Sequence, residues 1–128
     1  MAPSRKLDIP RRIRDQFRDY VLAERYQFQE PIGMGSYAYV FRAYDIKNTE
    51  YVAVKVSIEP GDPPRSFLEA STDRPVDRLY VEAVYNQRLE RGVYGIAQYK
   101  DHHYDPQNQH MFLVLRFLGR SFLTVSDH

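Results

Sequence analysis

Three short stretches carry residues whose types and spacing could do chemistry. The first is Ile32-Gly-Met-Gly-Ser-Tyr-Ala-Tyr-Val40. Two glycines in three positions permit a sharp turn, and such a loop can offer successive backbone N–H groups to an anion, commonly a phosphate. A glycine loop of the dinucleotide-binding kind opens into a helix. Here a strand follows, which counts against that use and leaves a plain hairpin turn as the alternative. The second is Lys55 in Tyr51-Val-Ala-Val-Lys-Val56. Side chains alternate along a strand, so Val52, Val54 and Val56 share one face while Ala53 and Lys55 share the other. A lysine beside a small alanine in so apolar a run suggests a cation at a pocket floor; the alternative is an edge-strand lysine that blunts aggregation. The third is Glu82. On a helix, Leu79, Glu82, Tyr85 and Leu89 fall on one stripe. A carboxylate in an apolar stripe is costly unless it meets a cation. Lys55 is the natural candidate, and a solvated place at the stripe's margin is the alternative.

The elements that must position these groups follow from pattern. Residues 26–32, 39–44 and 51–56 read as three antiparallel strands joined by tight turns. Residues 58–75 have a loop composition, with Pro60, Gly61, Pro63, Pro64 and Pro75. A helix is predicted over about Val76 to Arg91, with Pro75 in its first turn, Asp77 complementing its dipole and Gly92 placed to end it. Two more strands, Ile96 to Lys100 and Met111 to Phe117, flank a polar turn from Asp101 to His110. Ahead of them, Ile13, Phe17, Tyr20 and Val21 recur at helical spacing within residues 11–25, which predicts a short amphipathic helix packing on the domain that follows. The expected fold class is α+β, a five-stranded antiparallel sheet with one main helix and an N-terminal helix.

Composition narrows the function classes. The chain has 128 residues, room for one domain plus a tail. Lys and Arg number 18 against 17 Asp and Glu, a net charge of +1, which gives no reason to expect nucleic acid as the main partner. Absence of cysteine excludes disulfides, thiolate zinc sites and cysteine nucleophiles. No apolar stretch approaches membrane-spanning length and no secretory signal opens the chain, so a cytoplasmic or nuclear protein without membrane contact is expected. His102, His103, Asp105 and His110 include zinc-binding donor types. Clustered on one expected turn without a fixed backbone, they read as solvated, and no metal site is expected.

Strand, glycine hairpin, strand, Val-Ala-Val-Lys strand and a helix with an inward Glu together resemble the N-terminal lobe of a eukaryotic protein kinase. The resemblance runs from about Arg25 to Phe122. It implies a basic extension over 1–24 and a kinase lobe through the hinge over 25–128. By that resemblance the loop Gly33, Met34 and Gly35 would lie over ATP, and the backbone N–H groups of Ser36, Tyr37 and Ala38 would cover its phosphates. Lys55 would contact the α- and β-phosphates and pair with Glu82. Ile32, Val40 and Ala53 would sandwich the adenine. Leu115 would stand at the back of the pocket, and backbone groups of Arg116 and Leu118 would bond the adenine edge. Tyr37 at the loop tip would shield the phosphates from water. The stretches Gly92-Val-Tyr-Gly-Ile96 and Leu118-Gly-Arg-Ser-Phe122 look most like the casein-kinase-one group.

The chain departs from the family pattern at several points. Ala38 replaces the third loop glycine. Lys55 and Glu82 are farther apart than usual, with residues 58–75 as the apparent insertion; Glu69 is a rival partner, disfavoured because Pro75 would end a helix carrying it. The His-Arg-Asp loop and the Asp-Phe-Gly motif, which orient the acceptor hydroxyl and hold Mg2+ in this family, are absent. His103-Tyr-Asp105 lacks the Lys and Asn that should follow such a loop. The expectation is therefore an ATP-binding lobe of a Ser/Thr kinase, truncated and not catalytic alone. A non-catalytic, pseudokinase-like binding module, with a protein partner covering the exposed cleft face, is the alternative.

Overall fold

The computed structural model describes residues 9–71, 73–89 and 97–117. Helix α1 (Arg11–Gln16) leads to strands β1 (Val21–Leu22), β2 (Tyr26–Met34), β3 (Ala38–Asp45) and β4 (Glu50–Ser57). A single 3-10 turn (Phe67–Glu69) precedes helix α2 (Pro75–Leu89), and β5 (Ala97–Asp105) and β6 (His110–Phe117) complete the order. The strands form one antiparallel sheet in the order β1-β2-β3-β4-β6-β5. The class is α+β as expected, with six strands among the described residues in place of five.

Each face of the sheet has its own core, and β4 shows why. Val52, Val54 and Val56 are fully buried on one face, with Phe28, Phe41, Phe112 and Val114. That face is closed by the N-terminal segment through Ile9, Ile13, Phe17 and Leu22. Phe17 lies 5.2–6.0 Å from the rings of Tyr20, Phe28, Phe41, His110 and Phe112. On the other face, Val76, Leu79 and Ala83 of α2 pack on Ala38, Met111 and Leu113.

Three local expectations change. The N-terminal helix stops at Gln16, well short of 25, because Asp19 takes left-handed backbone angles that a helix cannot continue through. Tyr20 and Val21 therefore lie beyond it, although Ile13 and Phe17 do pack inward. The polar turn expected over 101–110 shrinks to residues 106–109, since the strands run on to Asp105 and restart at His110. The stripe of α2 that enters the core is Val76, Leu79 and Ala83, and Tyr85 is exposed. Glu82 is thus at the stripe's margin. The helix's expected last residues and Gly92 lie outside the described residues, and the side chain of Leu89 with them.

One buried charge ties the far end of the sheet together. Asp45, closing β3, accepts from Arg25 Nε at 2.8 Å and Nη2 at 3.0 Å, and from the backbone N–H groups of Lys47 and Asn48. Lys100 Nζ bridges it to Glu50, at 3.3 and 3.0 Å. Burial alone would push the Asp45 carboxyl up, but these donors outweigh it and hold it well below the usual carboxylate range.

Two outcomes are expected in urea unfolding. Phe17→Ala should cost about 3–5 kcal/mol, the range for emptying a buried aromatic site. Asp45→Asn should cost about 3 kcal/mol by removing the fully buried carboxylate that Arg25 and Lys100 are paired with. Because the Asp45 pKa is depressed on folding, its contribution is complete above the unfolded pKa near ~4 and fades as pH falls below it. The wild type should therefore lose more stability than the Asn variant between pH 5 and 2, as a set of urea curves across that range would read.

Candidate functional site

The register of the strands sets the floor of the site. Gly33 lies opposite Val40, Val40 opposite Lys55, and Lys55 opposite Leu113. The next row is Arg42, Ala53 and Leu115. Residues directly opposite in a ladder share a face, so Val40, Ala53, Lys55 and Leu115 stand together on the face that α2 partly covers.

Glu82 meets Lys55 from the helix side. Lys55 Nζ donates to Glu82 Oε2 at 2.7 Å, joining β4 to the middle of α2. The hydroxyl of Tyr37 donates to the other carboxylate oxygen, Oε1, at 2.6 Å. Burial first, and then that bond, push the Tyr37 phenol up to about 12. The Tyr37 ring centroid is 5.8 Å from Lys55 Nζ and 4.6 Å from the guanidinium carbon of Arg78. Glu69, the rival partner, is exposed on the 3-10 turn and lies 3.7 Å from Arg65. The loop between β4 and α2 is anchored elsewhere: Gly61 N–H donates to Gln109 O, Tyr104 donates to Gly61 O, and Arg74 bonds Asp62 O.

Around the hairpin, Gly35 N–H donates to Ala38 O at 2.8 Å and Ile58 N–H to Tyr37 O at 3.1 Å. Neither Gly33 nor Gly35 has the left-handed backbone angles expected of a glycine-dependent turn. A Cβ on Gly35 would meet nothing nearer than Ala38 O at 3.7 Å, an ordinary contact. The turn itself does not demand these glycines. What their small size leaves is space over the loop through which another molecule can approach the backbone closely. Ile32 is half-buried, while Met34 and Ser36 are exposed. Arg116 lies 3.6 Å from Glu50, and Leu118 lies outside the described residues.

The histidines disperse. His102 and His103 are neighbours on a strand and so point to opposite faces: His102 bonds Tyr99, and His103 bonds Asp101. His110 is buried, with Nδ1 2.8 Å from Ser57 O, and burial lowers its pKa. Among the described residues, no three His, Cys, Asp or Glu side chains gather to hold a metal. Nor is any described helix long and apolar enough to cross a membrane.

No protein-family profile matches the chain. A kinase domain of known crystal structure matches it with a TM-score of 0.56 at 18% identity, over 77% of this chain and 26% of that one. The fold is that of a kinase N-lobe. The chain spans about a quarter of the solved domain it matches.

Arg78 is the residue that sequence reasoning missed. It precedes Glu82 by one helical turn, the i, i+4 spacing that puts two side chains on one face, and that spacing was the available signal. The Lys55 and Glu82 side chains are 27% and 22% exposed, too solvated for their pair to be a major source of stability. Glu82→Gln should accordingly shift the unfolding free energy by less than about 1 kcal/mol in urea. A loss of several times that size would make the pair a structural device.

Proposed function

We propose that this chain is the ATP-binding lobe of a protein serine/threonine kinase. The observation that carries the reading is the Lys55–Glu82 bridge, set beside a glycine hairpin whose glycines the turn does not itself require. An ammonium held by one carboxylate keeps donors free for a polyphosphate, and the carboxylate fixes where that ammonium stands. The residues present fit such a ligand. Lys55 would meet the α- and β-phosphates, with the N–H groups of Ser36, Tyr37 and Ala38 above them. Ile32, Val40 and Ala53 would form an apolar slot for adenine and Leu115 its back wall; the polar edge, by the sequence resemblance, would come from backbone groups of Arg116 and of Leu118, which lies outside the described residues. The lobe is taken as residues 25–128, preceded by the basic segment 1–24.

In the complete kinase domain this lobe holds and orients ATP while the second lobe supplies Mg2+ ligands and the group that orients the acceptor hydroxyl. The 128 residues alone are read as binding nucleotide without transferring phosphate. Placement in the casein-kinase-one group rests on the sequence at 92–96 and 118–122.

Calorimetric titration of the chain with ATP should show saturable binding. Lys55→Met should weaken it about tenfold or more, the scale of a lost charged hydrogen bond. A chain that binds no ATP, or binds it equally with Met at 55, overturns the reading.

A further inference from the structure

Tyr37 sits against two cations. Lys55 and Arg78 both approach its ring, and with Glu82 the charged groups sum to +1, a cluster that favours an anion. Yet what faces the two cations here is a phenol that is neutral at physiological pH. Its hydroxyl is bound to Glu82 at 2.6 Å, a short charge-assisted bond. Its backbone carbonyl is held by Ile58 N–H at the end of β4. The tip of the hairpin is therefore drawn in and fastened to α2.

We infer that Tyr37 is a self-docked placeholder: its side chain holds the position that phosphates take beside Lys55 and Arg78, and must leave Glu82 for them to bind. The inference rests on the nucleotide reading and adds two things to it, a second phosphate-facing cation and a competitor built into the loop. When the binding-competent state is a fraction of the whole, apparent affinity falls by that fraction. Freeing the tip should therefore tighten binding. Arg78 is exposed on its helix face, so removing it takes away charge without emptying a core position.

The test compares wild type, Tyr37→Phe and Arg78→Ala by calorimetry, with ATP and with inorganic tripolyphosphate as separate ligands. Tyr37→Phe keeps the ring and removes only the bond to Glu82. It should bind both ligands more tightly by about tenfold or more, the scale of one hydrogen bond to a charged group. Arg78→Ala should bind both more weakly. A variant that merely loosened the lobe would lose affinity, so a gain isolates release of the tip. In hydrogen exchange without ligand, amides of residues 33–38 should exchange faster in Tyr37→Phe than in wild type. Equal or weaker binding by Tyr37→Phe, with wild-type binding intact and sensitive to Lys55→Met, overturns the placeholder and leaves the nucleotide reading standing. If neither wild type nor Tyr37→Phe binds either ligand, both fall together.

Discussion

A salt bridge between two separately folded elements depends on how those elements dock. Lys55 and Glu82 are 27 residues apart, one on a central strand and one on a helix reached through a long proline-rich loop. Their atoms meet at 2.7 Å because Val76, Leu79 and Ala83 seat α2 on Ala38, Met111 and Leu113. Apolar burial supplies the docking energy; the ion pair, a quarter exposed, contributes little to it. The pair is a result of packing, and its position is what the packing achieves.

Alternation on β4 divides labour between the two faces. Its valines face the aromatic layer, while Ala53 and Lys55 face the site. The strand that carries the ammonium is thereby backed by a dry core and edged by Asp45 with its donors. The hairpin tip is held differently, by the backbone bond from Ile58 N–H to Tyr37 O and by the Tyr37 hydroxyl's bond to Glu82 on α2.

How much of this could be read beforehand follows the range of each interaction. The hairpin, the face assignment of β4 and the partnership of Lys55 with Glu82 were legible because short patterns encode them: two glycines, a two-residue period, an acid among apolar helix residues. The extent of β5 was not. Residues 101–105 look like a turn locally, but distant partners satisfy their two aspartates: Tyr26 donates to Asp101 and Tyr20 to Asp105. The N-terminal helix was overextended because Ile13 and Phe17 set a helical rhythm that Asp19 breaks through its backbone angles, which side-chain periodicity does not report. The stripe on α2 drifted for a similar reason, since spacings of three, three and four place Tyr85 off the buried arc. Arg78 escaped notice because its contact is with a ring from another element.

The segment ahead of residue 25 has a consequence for how this lobe is delimited. Ile9, Ile13, Phe17 and Leu22 belong to the same buried cluster as Val52, Val54 and Phe112. Proteolysis between Leu22 and Tyr26 would strip the lid from a sheet whose rear is a bed of phenylalanines. Water would then meet a broad greasy plate, and copies of the trimmed lobe would gain by stacking back to back. The leading tail thus acts as a sealant for the reverse side of the sheet that bears the lysine.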